Sequence, residues 1–314
     1  MTYTLALGPF HPAWRGPQRF ILRIAGEQVA DVEYQGGLNE RGCAERLPRL
    51  ALPEALQLVT RICGTCSLAH ALAFCQALEQ LCAIDVPERA AMLRVAAAET
   101  ERAISHLRAA AGVLRALGVE ERSAALEGLR ERAQGHLEAL TGARVGPDFV
   151  VTGGVRRDLV SRVRDELLAD LPALNRDLYR IVDRLIDNRA LLARTIEVGT
   201  LPRAAAEQFG VRGPLARASG IARDTRFDYP YAAYGQLAIR PIVQEGGDVY
   251  ARLVVLLLEA YESVKLVEQA LRELPQGAWR GELPEELSAG QASGAAEGPR
   301  GMIRYTVESD GYRL

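Results

Sequence analysis

Residues 89 to 118 read RAAMLRVAAAETERAISHLRAAAGVLRALG, a run of Ala, Leu, Glu and Arg that favours one long α-helix. Pro87 suits the start of this helix and Gly118 suits its end. The run from Asp248 to Leu274 has a similar propensity and is too apolar for a surface helix. Together the two runs predict long helices at the core of a bundle.

Strand patterns occur near both ends of the chain. Residues 18–36, QRFILRIAGEQVADVEYQG, alternate apolar and polar side chains around Gly26, which predicts a two-stranded hairpin. Residues 301–310, GMIRYTVESD, alternate again and predict a strand. Between about residues 53 and 274 the pattern is helical. The predicted fold class is α+β, mainly α: a long-helix bundle with a small N-terminal antiparallel sheet and a short C-terminal strand region.

We expect one continuous domain with three regions. These are an N-terminal β region (1–50), a helical bundle core (51–283) and a C-terminal segment that returns to the active site (284–314). Residues 284–300 are rich in Pro, Gly, Ala and Ser and read as a connection. Residues 142–154 and 199–234 are rich in Gly, Pro and Arg and read as long ordered loops, which compact domains usually keep for binding.

Composition excludes several classes of function. The 38 basic and 40 acidic residues are spread along the chain and form no basic stripe, which argues against nucleic-acid binding. The most apolar run, Leu253 to Leu258, is too short to span a bilayer, so we expect membrane association only through partner subunits. Five cysteines without a secretory signal indicate a reducing compartment, and the predicted location is the cytoplasm.

The strongest local motif is RICGTCSLAH, residues 61–70, in which Cys63, Cys66 and His70 would share one face of a helix beginning near Cys63. Thiolates are soft ligands suited to nickel, zinc, copper(I) or iron. The spacing alone also fits half a zinc site, a thioredoxin-like dithiol or two core cysteines. A zinc site requires a second pair at this spacing, which Cys43, Cys75 and Cys82 do not supply. A thioredoxin motif should follow a strand, whereas residues 52–60 look helical.

The motif resembles the first nickel-binding motif of nickel-iron hydrogenase large subunits, R-[IV]-C-G-x-C-x-x-x-H. Further segments resemble the hydrogenases related to respiratory complex I and the 49-kilodalton-type subunit of that complex. They are residues 8–12 (GPFHP), 98–102 (AETER), 105–107 (SHL), 153–158 (GGVRRD), 217–220 (RASG), 230–234 (PYAAY), 297–301 (EGPRG) and 309–311 (SDG). The chain is therefore identified as similar to the membrane-associated, energy-converting type of large subunit.

The resemblance implies a nickel-iron centre with cyanide and carbon monoxide on the iron. Cys63 would be a terminal nickel ligand and Cys66 a thiolate bridging nickel to iron. His70 would donate a hydrogen bond to the bridging sulfur, with a neutral core histidine as the alternative. Pro299 would line the cyanide side, and Arg300 would hold its guanidinium above the open metal face, where a fixed positive charge polarises hydrogen.

Glu99 and Glu101 are candidates for a proton relay. Carboxylates at positions i and i+2 of a helix do not face the same way, so at most one should point inward. We expect Glu99 to take the catalytic role and Glu101 to lie on a solvated face.

Two departures from the family pattern stand out. Gly16 aligns where these hydrogenases usually place a proton-accepting glutamate, and complex I subunits also have glycine there. The family's second cysteine pair, in a D-P-C-x-x-C motif beyond S-D-G, is not among these 314 residues. We therefore expect either a fragment or a protein without hydrogenase chemistry, and a complete nickel-iron centre only if further sequence supplies the second pair.

The sequence leaves three functions open. The first is an oxidoreductase subunit, hydrogenase-like, that interconverts protons and hydrogen. The second is a complex I-type subunit that shapes a quinone cavity without metal, and the third is a non-catalytic scaffold.

The resemblance also implies partners. They are an iron-sulfur small subunit like the B-type subunit of complex I, and ion-translocating membrane subunits that hold the chain on the inner face of the cell membrane. With no cysteine after Cys82, the chain is not expected to carry an iron-sulfur cluster of its own. The loops within residues 212–234 should dock the iron-sulfur subunit, unless they merely cap the bundle.

Overall fold

The computed structural model describes residues 2–11, 16–186 and 188–311. It divides into two compact units, residues 1–47 and residues 48–314. The predicted fold class is confirmed, because the chain is mainly helical, with an antiparallel sheet in the first unit and a strand pair near the end of the second.

The first unit is a three-stranded antiparallel sheet. Its strands are β1 (Thr2–Leu7), β2 (Arg19–Ala25) and β3 (Gln28–Gln35), in the order β1-β2-β3. The predicted hairpin is β2–β3, and Gly26 in its turn has a φ of +63°, which glycine adopts without strain. β1 is a further strand that the pattern of residues 18–36 does not predict. Gly16 lies in this unit, whereas Pro12 of the GPFHP motif and the following Trp14 and Arg15 lie outside the described residues.

Eleven α-helices occur in the described part of the chain. They are α1 (Cys43–Arg46), α2 (Leu52–Thr60), α3 (Ser67–Leu81), α4 (Glu88–Ala116), α5 (Glu120–Thr141), α6 (Ser161–Ile186), α7 (Arg189–Thr195), α8 (Arg203–Gln208), α9 (Gly213–Ala218), α10 (Thr225–Asp228) and α11 (Val249–Arg272). Short 3-10 helices cover Leu47–Arg49 and Tyr234–Gln236. None of the helices within these described residues combines the length and the apolar character needed to cross a membrane.

Helix α4 forms the centre of the second unit. It packs against α5 and α11, and apolar side chains such as Leu107, Leu114 and Leu257 are almost completely buried. The two predicted core helices are confirmed to within two residues at each end. α11 begins where the Asp248 side chain accepts a hydrogen bond of 2.8 Å from the amide of Ala251, a typical N-cap.

Two predictions for irregular segments are wrong. Residues 199–234 contain the short helices α8, α9 and α10 rather than loop alone. The supposed connection at 284–300 contains strand β6 (Gly290–Gly298), which pairs with β7 (Gly301–Ser309) in a hairpin against α3. A side chain at Gly294 would overlap the backbone of α3 at Ala73, so this strand needs small residues for close packing. Two short strands, β4 (Val150–Val151) and β5 (Gly154–Val155), complete the described strands.

Candidate metal centre

Cys63 and Cys66 lie in the turn that precedes α3. The helix begins at Ser67, and Cys66 has a non-helical φ of −155°, so the predicted helix start near Cys63 is wrong. The cause is a carboxylate from α4. Glu101 accepts hydrogen bonds from the Ser67 hydroxyl at 2.7 Å and from the amides of Leu68 and Ala69 at 3.0 and 3.4 Å. It satisfies the first free amides of the helix and leaves the two cysteines on the turn before it.

The two sulfur atoms lie side by side. Cys66 Sγ donates to Cys63 Sγ at 2.6 Å, and a ring nitrogen of His70 completes a group of three donors within 4.8 Å of one another. Among the described residues, no other cluster of three or more such side chains has this spacing. Two sulfurs and an imidazole suit a soft transition metal better than magnesium or calcium. The donors therefore fit one side of a thiolate-bound metal site.

Arg300 faces these sulfurs from the turn between β6 and β7. Its Nη2 lies 3.0 Å from Cys63 Sγ and 2.7 Å from Cys66 Sγ, and its Nη1 lies 3.4 Å from Ser105 Oγ on α4. A cavity of about 330 Å³ opens beside them, lined also by His70 and Pro299. The structure thus brings the residues singled out in the two motifs into one cavity.

The pKa values of the two thiols shift in opposite directions. The hydrogen bond from Cys66 lowers the pKa of Cys63 to about 4, against the effect of partial burial, and the charge of Arg300 acts in the same direction. The same hydrogen bond, together with burial, raises the pKa of Cys66. Cys63 is therefore the thiolate of the pair and the better ligand for a metal ion in this arrangement.

His70 is held by Tyr305 on β7. Its Nδ1 lies 2.9 Å from the Tyr305 hydroxyl, and burial lowers the pKa of the imidazole, which favours the neutral ring. In the described structure its hydrogen bond goes to this tyrosine rather than to the sulfur of Cys66, which differs from the expected contact. The pairing with Tyr305 fixes the ring orientation at the edge of the cavity.

Glu99 and Glu101 are both buried, so the expected solvated face for Glu101 is wrong. The i and i+2 positions do diverge, but α4 is enclosed by other elements on both sides. Glu101 binds the start of α3, whereas Glu99 accepts hydrogen bonds from Tyr234 and Ser263. Burial opposes ionisation of Glu99, yet the charges of Arg226 and Arg102 prevail and lower its pKa to about 2. A carboxylate so acidic is a poor proton acceptor at neutral pH.

Glu99 belongs to a buried ionic network that the sequence patterns did not predict. It joins α4, α11, the 217–226 segment and β6 through the side chains of Glu99, Arg102, His106, Arg217, Asp224, Arg226, Glu259 and Glu297. One signal was present, because Glu259 interrupts an otherwise apolar stretch of α11. An acidic residue at a core position needs a buried cationic partner.

A thiolate pair placed with an arginine and an imidazole beside a helical core has a donor set that suits a soft transition metal. Two family models match the chain: "Nickel-dependent hydrogenase" over residues 41–107 and "Respiratory-chain NADH dehydrogenase, 49 Kd subunit" over residues 123–287. The chain belongs to the family that unites nickel-dependent hydrogenase large subunits with the 49 Kd subunit of respiratory-chain NADH dehydrogenase.

The relatives differ in their reactions. The chain is 33% identical to the carbon monoxide-induced hydrogenase of Rhodospirillum rubrum, over 99% of this chain and 86% of that protein. It is 31% identical to a D-type subunit of the NADH-quinone oxidoreductase of Sinorhizobium medicae, over 98% of this chain and 83% of that protein. A solved structure of the membrane-bound sulfane sulfur reductase, an archaeal respiratory membrane complex, aligns with a TM-score of 0.92 at 28% identity, covering 99% and 86% of the two chains. Family membership supports an oxidoreductase role. It does not identify the substrate, which has to be inferred from the residues of the site.

Proposed function

We propose that the chain is the hydrogenase-like large subunit of a membrane-associated oxidoreductase complex, in which Cys63 and Cys66 hold one side of a nickel-iron centre. The observation that carries the proposal is the pair of sulfurs 2.6 Å apart beneath the Arg300 guanidinium. This arrangement suits negative charge and small reactants.

The chain's own residues have separate tasks in this proposal. Cys63 and Cys66 would be two of the thiolate ligands that the family pattern requires. The bound centre, with cyanide and carbon monoxide on its iron, would supply the redox chemistry of protons and hydrogen. Arg300 provides a positive charge at the cavity through its planar guanidinium. Pro299 lines the same cavity as a buried apolar wall.

Metal analysis of the native complex tests this function. We expect about one nickel atom per chain in the complex purified with its full-length large subunit, and loss of nickel in Cys63→Ser and Cys66→Ser. Cys82→Ser is the control, because this half-buried cysteine lies outside the donor group and should leave nickel unchanged. An intact complex without nickel would remove the hydrogenase proposal.

A second candidate is a metal-free subunit that shapes a quinone cavity. The 49 Kd model matches the longer segment, residues 123–287. The sequence resemblance also implies that Gly16 stands where complex I subunits have glycine. The same purified complex separates the two functions. Quinone-dependent electron transfer in a complex that holds no nickel supports this candidate, and nickel with hydrogen-dependent dye reduction excludes it.

An iron-sulfur subunit is the proposed partner, bound at residues 212–234, which we call the docking segment. Leu215 and Tyr229 are 50% and 75% exposed there, and Phe209 beside it is 75% exposed. Large exposed apolar side chains next to arginines are typical of interface cores. Such a partner, resembling the B-type subunit of complex I, and ion-translocating membrane subunits would place the chain peripherally on the inner face of the membrane.

Crosslinking within the purified complex tests the docking segment. We expect crosslinks from residues 212–234 to the iron-sulfur subunit and slower amide hydrogen exchange across this segment in the complex. Helix α6 has exposed positions such as Arg162 and serves as the internal reference for surface that stays free. A docking segment that exchanges equally fast with and without the partner would contradict the proposed interface.

A further inference from the structure

Glu297 lies on β6, three residues before Arg300, and is almost completely buried. Its side chain binds the docking segment. One carboxylate oxygen accepts from Arg217 Nη1 at 2.9 Å, and the other accepts from the amide and hydroxyl of Thr225 at 3.1 and 2.8 Å. The main-chain amide of Glu297 donates to the Tyr231 hydroxyl at 3.0 Å. One residue next to the arginine turn is thus joined to three residues of the docking segment.

The turn itself is held at two further points. Arg102 on α4 donates to the main-chain oxygens of Glu297 and Gly298, the latter at 3.1 Å. At the other side, Gly213 begins α9 with a φ of +69°, and a side chain there would overlap the main chain of Arg300. The backbone of the turn therefore has little freedom to move independently of residues 213–231.

Charge neutralisation does not explain the contact between Glu297 and Arg217. Arg217 is already paired with Glu259, at 2.5 Å from its Nε and 3.1 Å from its Nη2, and lies 3.5 Å from Asp224. Replacing the Glu297 carboxylate by an amide leaves this guanidinium with two carboxylate partners. The specific loss is one of the two side-chain acceptors that attach β6 to the docking segment.

We infer that Glu297 is a positioning residue that couples the docking segment to Arg300, so that a bound partner fixes the guanidinium over the two cysteine sulfurs. The inference rests on the proposed function for its partner, but the attachment itself belongs to this chain alone. Docking at residues 212–234 restricts Arg217, Thr225 and Tyr231, and their bonds to Glu297 carry the restriction to the turn. The metal cavity would be fully ordered only in the assembled complex.

Amide hydrogen exchange of the full chain, alone and in its complex, tests the coupling. In the isolated chain, Glu297→Gln should speed exchange across residues 298–303 by on the order of tenfold, the factor expected for loss of one charge-assisted hydrogen bond. In wild type, the partner should slow exchange in the docking segment and in the turn. In the variant, the partner should slow the docking segment as before and slow the turn much less than it does in wild type.

Glu79→Gln is the matched control. Glu79 is also buried and also pairs with a buried arginine, Arg94, but its bonds lead to residue 153 and not to the docking segment. It should alter exchange near residues 151–154 and leave residues 298–303 unchanged. If Glu297→Gln does not fold, Thr225→Val removes only the hydroxyl bond and should give a smaller increase at the same turn.

The outcomes separate the inference from the function. Exchange at residues 298–303 that is unchanged in isolated Glu297→Gln and Thr225→Val overturns the coupling while the docking surface stands. Partner protection of the turn that is as large in Glu297→Gln as in wild type overturns it as well. An increase spread evenly over the whole chain also overturns it, since that marks a purely structural role. A wild-type docking segment that the partner leaves unprotected removes the proposed interface, and with it the partner-dependent half of the inference.

Discussion

Arg300 and Cys66 are 234 residues apart in the chain, yet Arg300 Nη2 lies 2.7 Å from Cys66 Sγ. Two elements produce this contact: the turn before α3 carries the sulfur, and the β6–β7 hairpin lies along α3 with its turn at the same end. The contact therefore depends on how firmly the hairpin turn is held.

Arg300→Lys should lower hydrogen-dependent dye reduction by about 100-fold, because a compact ammonium on a flexible stem cannot hold the place of a planar guanidinium across two sulfurs. Nickel content should not change, since the ligands remain. The control is Arg304→Lys on β7, an exposed arginine of the same hairpin. Full activity in Arg300→Lys would contradict a role for the fixed guanidinium.

Gly213→Ala should destabilise the chain more than Gly210→Ala. Both glycines have positive φ values, +69° and +62°, but only Gly213 has the main chain of Arg300 against the position of a new side chain. We expect losses of about 3 and about 1 kcal/mol in the free energy of unfolding. Urea denaturation measures both, and equal losses would show that the close approach of α9 to the turn is unimportant.

Tyr234→Phe should lower the free energy of unfolding by about 2 kcal/mol, because it removes a hydroxyl that lies 2.5 Å from the buried Glu99 carboxylate. Tyr229→Phe is the control, since Tyr229 is 75% exposed and its loss of a hydroxyl should change stability by less than about 0.5 kcal/mol. The two variants are compared by chemical denaturation. A loss of similar size in both would argue against the network as a source of stability.

The free energy of unfolding should fall in two pH ranges as the solution is acidified. Burial lowers the pKa of His106 below its ordinary 6.5, so protonation favours the unfolded chain as the pH falls below that value. Arginine partners lower the pKa of Glu99 to about 2 despite its burial, so its contribution is complete above about 4.5 and is lost as the pH falls toward 2. This second loss is on the order of 3 kcal/mol. Unfolding free energies measured from pH 7 to pH 3 should fall throughout, and the decline below 4.5 should be shallower in Glu99→Gln.

Most long elements could be predicted from the sequence, because helical propensity and period are local. α4 and α11 carried clear patterns, and β1 could have been found from the alternation of Tyr3, Leu5 and Leu7. Strand β6 could not be predicted, because its Gly and Ala residues have low strand propensity and are required by the close approach to α3. The placement of Arg300 near the two cysteines was predicted from the family resemblance alone. The ionic network was missed because a charged residue shows its partner only in three dimensions.

Glu101 determines where the positive end of the α3 dipole is directed. Its carboxylate takes the first amides of α3, so the positive end of that helix dipole is directed at an oxygen and not at sulfur. The main source of positive potential at the cysteines within the described structure is then a side chain on a hairpin. A helix dipole is as rigid as the helix, whereas a hairpin shifts by fractions of an ångström when its contacts change. The electrostatic potential at these sulfurs therefore depends on the position of the β6–β7 turn, which the contacts of that turn determine.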